Sequence, residues 1–106
     1  MAVSVQESDV HAGISEGGRI SSAFVVSRET DNGREFMAYI QPSWLKYYAP
    51  LRTWRARSER TYRDLGRLFS LLRDDFDFKG PITVYLRGDP ALRRKRGVQA
   101  EDLSDG

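Results

Sequence analysis

Residues 20–41 read ISSAFVVSRETDNGREFMAYIQ, and in this stretch two runs of β-branched and aromatic residues flank a turn signal. Asn32 and Gly33 both accept the positive φ that a type I′ turn demands. The pattern therefore predicts a β-hairpin with strands at 20–28 and 34–41.

The register of this hairpin decides which side chains share a face, because directly opposed residues point to the same side of a sheet. With Asn32-Gly33 as the two-residue loop, Val26 lies opposite Tyr39 and Arg28 lies opposite Met37. Both faces are then apolar, so each needs a cover or exposes an adhesive surface. One face carries Val25, Phe36, Ala38 and Ile40, and the other carries Phe24, Val26, Met37 and Tyr39.

Downstream of the hairpin, Pro42 ends the second strand because proline cannot donate to a strand ladder. Residues 43–57 mix four large aromatic residues with basic ones and are divided by Pro50. Both a helical turn at 43–48 and a strand at 51–55 fit this segment.

The next segment predicts a helix over about 58–76, with Ser58 as its N-cap. A strand at about 82–87 follows Gly80-Pro81. The predicted fold class is therefore α+β, a two-layer sandwich in which the helix packs on an antiparallel or mixed sheet. The apolar residues that recur at spacings of three and four are Tyr62, Leu65, Leu68, Phe69, Leu72 and Phe76.

The two ends of the 106-residue chain lack an apolar period. Residues 1–18 mix Ser, Gly and acidic residues, which is typical of a disordered leader. Residues 97–106 predict a disordered acidic tail. Residues 19–96 then form a single α+β domain.

Several classes of site lack the residues that they need. The chain has no cysteine, so disulfides, thiolate metal sites and a cysteine nucleophile are excluded. His11 is the one histidine and lies in the predicted leader, which argues against a Ser-His-Asp triad. The carboxylates of Asp74, Asp75 and Asp77 lack the further ligands of a calcium loop. We therefore predict no enzyme activity, no cofactor and no metal, and short apolar runs predict a cytoplasmic protein.

Charge is distributed unevenly, although 17 basic and 15 acidic residues leave a net charge of only +2. Basic residues concentrate in 44–73 and again in 93–96. Arginine binds phosphates and aromatic rings stack on bases, so the first block predicts binding to DNA or RNA. A compositional bias toward arginine fits the same counts. The predicted nucleic-acid-binding residues are Arg52, Trp54, Arg55, Arg57, Arg60, Arg63 and Arg67, with the last three on one helix face.

A protein-interaction module is the second hypothesis, because aromatic residues and arginine are also enriched at protein interfaces. It would act as a homodimer, an adaptor or an inhibitor, unless segment 44–54 folds back over the apolar face. The small size and arginine bias resemble those of accessory proteins of plasmids, phages and other mobile elements, although no motif is matched. The predicted interaction surface comprises Phe24, Val26, Met37, Tyr39 and Tyr85.

Overall fold

A computed structural model describes residues 5–31, 33–52 and 61–104. The predicted hairpin is present as strands β2 (Ile20–Thr30) and β3 (Gly33–Pro42). Thr30 is opposite Gly33, so the register differs by two residues from the predicted one. Gly33 has a φ of +111° and begins β3 instead of closing the loop, while Asn32 lies outside the described residues.

A shift of two residues leaves every side chain on its predicted face, because the side-chain period of a strand is two. Val26 now lies opposite Met37, and Phe24 lies opposite Tyr39. The predicted division of the hairpin into two apolar faces is therefore confirmed, although the predicted pairs were wrong.

The hairpin lies at the centre of a mixed sheet, and the described residues contribute six strands to it. The strand order is β1 (Val5–Gln6), β4 (Ala49–Arg52), β3, β2 and β6 (Thr83–Leu86). β5 (Thr61–Tyr62) pairs with residues 36–37 of β3, next to residues 39–40, which pair with β4. β6 runs parallel to β2, and β1 runs parallel to β4. After Pro42 a strand is present at 49–52, which overlaps the start of the strand predicted at 51–55, whereas residues 43–48 form turns and bends and no helix.

Helices form a layer on one face of the sheet, which confirms the α+β two-layer class. They are α1 (Glu7–Ser15), α2 (Leu65–Ser70) and a π-helical turn (Leu71–Asp75). α2 begins later than predicted because Asp64 caps it, its carboxylate accepting from Gly66 N at 2.8 Å. Residues 61–62, predicted as helix, pair with β3 instead, and Ser58 lies outside the described residues.

The predicted apolar face of the helix is nevertheless turned inward. Leu68 and Leu72 are fully buried and Phe76 is 1% exposed. They pack on Val25, Ala38 and Ile40 of the hairpin to form the first core. The fully buried side chains therefore follow the periodicity that the sequence shows.

The C-terminal segment covers the opposite face of the sheet. It comprises a 3₁₀-helix (Pro90–Arg94) and α3 (Ala100–Leu103). Leu92 of the 3₁₀-helix is fully buried against the sheet. The predicted interaction surface is thus a second core and not a free face, since the C-terminal segment and Tyr48 provide its cover. Phe24 is 2% exposed, Tyr85 is half-buried, and the side chains with no exposure are Val26, Met37 and Tyr39.

Both ends that the sequence predicted to be disordered contain ordered elements. Val10 of α1 is fully buried in the first core, and the Tyr62 hydroxyl donates to Glu7 Oε1 at 2.9 Å. At the other end, Asp102 of α3 is fully buried. Each end is held by a few long-range contacts, which leave no periodic pattern in the sequence. None of the helices in the described ranges has the length and apolar character to cross a membrane.

Candidate functional site

Of the predicted arginine block, Arg52, Arg63 and Arg67 lie among the residues that the structure describes. Arg63 is exposed but precedes α2, whereas Arg67 is exposed on it. The predicted stripe on one helix face is therefore wrong for these two residues, because the helix begins at Leu65. Arg52 ends β4. The predicted residues that lie outside the described ranges are Trp54, Arg55, Arg57 and Arg60.

Several other arginines have structural roles inside the fold. Arg73 Nη1 donates to the carbonyl oxygens of Phe78 and Gly80 at 2.8 and 2.7 Å. Arg87 Nε donates to the carbonyl oxygen of Glu101 at 2.7 Å. Arg73 thus joins the π-helical turn to the loop at 78–80, and Arg87 joins the end of β6 to α3, so neither guanidinium group is available to a ligand in the same geometry.

Four exposed cations lie on two segments that a backbone hydrogen bond joins, and we call these four residues the basic corner: Lys46, Arg93, Arg94 and Arg96. Across the part of the chain that the structure describes, their side chains have no ion pair or hydrogen bond. The corner forms where two segments meet, because Tyr48 N donates to the Arg96 carbonyl oxygen at 2.7 Å. Lys46 lies two residues before that hydrogen bond.

The 3₁₀-helix presents these arginines because its own sequence caps and anchors it. The Asp89 carboxylate accepts from Ala91 N at 2.9 Å, and Pro90 at the first helical position needs no hydrogen-bond acceptor. Leu92 turns into the second core and is fully buried. Arg93 and Arg94, which follow this anchor, are therefore left in solvent.

Lys95 differs from its neighbours in the basic run. Its ammonium group lies 5.1 Å from the ring centroid of Phe24, 5.5 Å from that of Tyr48 and 5.3 Å from that of Tyr85. These three rings form a box that attracts the cation through their π faces. Tyr48 also shares a hydrogen bond of 2.7 Å with Ser22 Oγ. Lys95 and Tyr48 thus stabilise the fold, and the Tyr48 side chain is engaged internally.

A buried polar network fastens α3 to the sheet. Arg28 Nε and Nη2 donate to the two carboxylate oxygens of Asp102, each at 2.7 Å. The Tyr39 hydroxyl donates to Asp102 Oδ2 at 2.5 Å and accepts from Gln99 N at 3.2 Å. We call residues 97–104 the C-terminal latch, because Asp102 holds them over the second core.

Contact with Asp102 of the latch shifts the pKa of two residues of the sheet. Burial raises the pKa of Tyr39, and its hydrogen bond to Asp102 raises it further. Burial alone would lower the pKa of Arg28, but the hydrogen bonds and attraction of Asp102 outweigh burial and raise it. Both groups therefore keep their protons around neutral pH, which favours the closed latch.

We expect Tyr39→Phe to change how stability depends on alkaline pH. Because the folded pKa of Tyr39 lies above its ordinary value of 10.0, its contribution is complete below pH 10.0 and is lost as pH rises toward the folded pKa. Urea unfolding should show Tyr39→Phe less stable by about 1 kcal/mol near neutrality, with the difference shrinking above about pH 10. Parallel stability curves for the two proteins across this range would contradict the assignment.

Among the residues that the structure describes, no three His, Asp or Glu side chains group closely enough to hold a metal ion. Asp74 and Asp75 are exposed, and Asp77 pairs with Lys79 at 3.6 Å. The acidic run is therefore a solvated turn.

Sequence reasoning missed two features of the candidate site. Lys46 lies within the basic stretch 44–73 but was not among the predicted binding residues, and the hydrogen bond from Tyr48 N to the Arg96 carbonyl oxygen is what joins its segment to the 93–96 run. The run itself was recognised as a basic patch, but its exposure depends on the buried anchor Leu92. Comparison with family models, curated proteins and solved structures finds no match to this chain.

Proposed function

We propose that this protein is a small, cytoplasmic, non-enzymatic nucleic-acid-binding module that contacts phosphates through its basic corner. The observation that carries the proposal is the exposure of Lys46, Arg93, Arg94 and Arg96 without a carboxylate partner among the described residues. Cations of this kind release counterions when they bind a polyanion, and that release drives affinity.

The carboxylates nearest in sequence are engaged elsewhere, which leaves the positive charge of the corner uncompensated. Asp89 caps the 3₁₀-helix, and Asp102 pairs with Arg28. Glu101 lies 3.4 Å from the same arginine. An incoming phosphate therefore meets little competition from side chains of the same segment.

The arginine-rich segment 52–60 begins at Arg52, which is the last residue of β4. Arg52 is four residues beyond Tyr48, which corresponds to about 13 Å of extended chain. The backbone of Tyr48 is bonded to that of Arg96, so the two basic stretches begin within reach of a single nucleic-acid strand. Arg55, Arg57 and Arg60 then supply further phosphate contacts in this proposal.

The other hypothesis was a protein-interaction module built on the hairpin face. Phe24, Val26, Met37 and Tyr39 are at most 2% exposed in the folded chain, so that face offers no surface to a partner. Nucleic-acid binding is thus the function that the exposed groups support best.

The test is a fluorescence-anisotropy titration with labelled single- and double-stranded oligonucleotides at low and at physiological salt. Arg93/Arg94→Gln should weaken binding to all sequences alike and reduce the slope of log affinity against log salt by about 2 for a duplex. Its matched control is Arg67/Lys79→Gln, which removes the same charge from the opposite face of the sheet.

Each outcome of the titration has a definite meaning. Salt-sensitive binding that Arg93/Arg94→Gln weakens and the control spares supports the basic corner. A greater loss of affinity in Arg67/Lys79→Gln would indicate that the site lies on the α2 face, where the sequence predicted Arg67 to bind. Absence of binding at low salt contradicts nucleic-acid binding altogether.

A further inference from the structure

A cleft of about 430 Å³ lies between α1 and the turn that follows β3. Asp9, Ala12 and Gly13 line it from one side of α1, and Glu16 continues the same side just past the end of the helix. Trp44 lines it from the turn and is 43% exposed. The cleft shares no residue with the basic corner.

Two glycines fix the position of Trp44. An added Cβ at Gly13 or at Gly18 would lie within 2.7 Å of at least two atoms of the indole ring, so the ring packs directly on both backbones. Gly18 N donates to the Gly13 carbonyl oxygen at 2.8 Å, which holds the two glycines together. Ser43 N donates to the Arg19 carbonyl oxygen at 2.7 Å and anchors the residue before Trp44. The indole ring is therefore a preformed apolar wall.

The cleft carries a negative charge toward each end. Asp9 and Glu16 are exposed, and neither carboxylate has an ion pair or hydrogen bond with another of the described residues. Within the same ranges the lining includes no basic residue. Glu16 follows directly on α1, whose last turn is also without one, so its charge meets the negative end of the helix dipole. A cation bound beside Glu16 relieves that repulsion.

The spacing of the two carboxylates indicates the shape of the cation. Asp9 and Glu16 are seven residues apart, which corresponds to about 10 Å along a helix. Ala12 and Gly13 lie between them and offer no polar side chain. We propose that the cleft binds a linear aliphatic diamine or polyamine, with one ammonium group at each carboxylate and the hydrocarbon chain between α1 and Trp44. A small inorganic cation would leave the apolar part of the cleft uncovered.

The inference is independent of nucleic-acid binding, and its tests use the protein alone. Two exposed ion pairs contribute little, so the expected Kd for a diamine is about 1 mM. NMR detects binding of this strength through the indole N–H signal of Trp44. The chain contains two tryptophans, and Trp44→Phe identifies the signal by its loss.

Diaminooctane, with an amine at each end of its chain, is the probe. It should shift the Trp44 signal with saturation, whereas Mg²⁺ of the same charge and concentration should not. Diaminobutane should bind several-fold more weakly, because its shorter chain spans the carboxylates poorly. The proposal is overturned if the signal does not move at several times the expected Kd, if Mg²⁺ shifts it equally, or if the two diamines bind alike.

Charge-neutral variants test the two carboxylates. Asp9→Asn combined with Glu16→Gln should raise the Kd for diaminooctane about tenfold. The matched control is Glu29→Gln with Asp77→Asn, which removes the same charge from two other exposed carboxylates. An equal change of Kd in the two double variants would contradict the proposed site.

A third variant keeps the test decisive if loss of the carboxylates disturbs α1. Ala12→Lys places an ammonium group four residues before Glu16, where it pairs with that carboxylate along the helix face and occupies the cleft. Far-UV circular dichroism checks the fold. Diaminooctane should then no longer shift the Trp44 signal, and unchanged binding in a folded Ala12→Lys variant overturns the proposal.

Discussion

Replacing Asp102 by alanine should destabilise the protein by about 3 kcal/mol, because it breaks a buried ion pair by removing one partner. Asp102 has no solvent exposure, and it accepts hydrogen bonds from both Arg28 and Tyr39. Without it, a guanidinium group whose side chain is 11% exposed loses two of its hydrogen bonds. The Tyr39 hydroxyl loses its acceptor at the same time.

The destabilisation should be greatest in the C-terminal latch. Urea unfolding gives the change in the free energy of unfolding, and the binding of a hydrophobic dye reports exposure of the second core. We expect dye binding to rise in Asp102→Ala, because Phe24 and Met37 are buried in the core that the latch covers. Limited proteolysis should cleave within residues 97–104 before it cleaves the sheet.

Glu101→Ala is the matched control for this variant. Glu101 is the neighbouring carboxylate and lies 3.4 Å from the same Arg28, but its side chain is 54% exposed. Exposed ion pairs contribute little, so we expect a loss below about 1 kcal/mol. Equal losses in the two variants would show that Asp102 does not anchor the latch.

A double variant separates the value of the pair from the cost of breaking it. Arg28→Met with Asp102→Leu removes both charges and fills the site with apolar groups of similar length. Such replacements are often neutral, so the double variant should be more stable than Asp102→Ala alone. If the double variant is markedly less stable than the parent chain, the ion pair itself stabilises the fold.

The latch also shows where sequence reasoning stops. Arg28 and Asp102 are 74 residues apart, and nothing local to either residue indicates the other. The segment around Asp102 is short, polar and acidic, which is the composition of a disordered tail. A single buried carboxylate with two partners orders it, and such an arrangement leaves no periodic signal.

The hairpin was predictable because a period of two is visible within each strand. Its register was not, since Asn32-Gly33 fits a loop at 31–32 as well as one at 32–33. The positive φ that the turn signal requires is present at Gly33, at the start of β3. An error of two residues changes every cross-strand pair while it leaves both cores unchanged.

The start of α2 was mispredicted for a related reason. Tyr62 is three residues before Leu65, so it fits an apolar helix face, and it is also buried when it pairs as a strand residue. The Asp64 cap decides between helix and strand for Tyr62, because its carboxylate accepts hydrogen bonds from the first helical N–H groups and so starts the helix after residue 64. Because α2 begins at Leu65, Arg63 does not lie on the helix, and the predicted arginine stripe loses this residue.

Gly97→Ala should destabilise the protein by about 3 kcal/mol or more, because two costs act at one position. Gly97 has a φ of +103°, a conformation that side chains other than glycine rarely adopt. An added Cβ would also lie 1.9 Å from the Tyr48 carbonyl oxygen, which is backbone and cannot move aside cheaply. The clash falls beside the hydrogen bond from Tyr48 N to Arg96.

Gly17→Ala isolates the first cost, that of the left-handed backbone conformation. Gly17 has a φ of +102°, nearly that of Gly97, but an added Cβ there meets nothing within 4 Å. It should therefore lose only the about 1–2 kcal/mol of the left-handed conformation. The difference between the two variants, measured by urea unfolding, is the cost of separating residue 97 from Tyr48.

Gly97→Ala also bears on the basic corner, because the hydrogen bond from Tyr48 N to the Arg96 carbonyl oxygen joins the segment of Lys46 to the 93–96 run. If Gly97→Ala remains folded, it should bind oligonucleotides more weakly than Gly17→Ala at equal net charge. Equal affinity in two folded variants would show that the arginines bind without the contact that positions them. Equal stability would show that the chain does not pass this close to Tyr48 in solution.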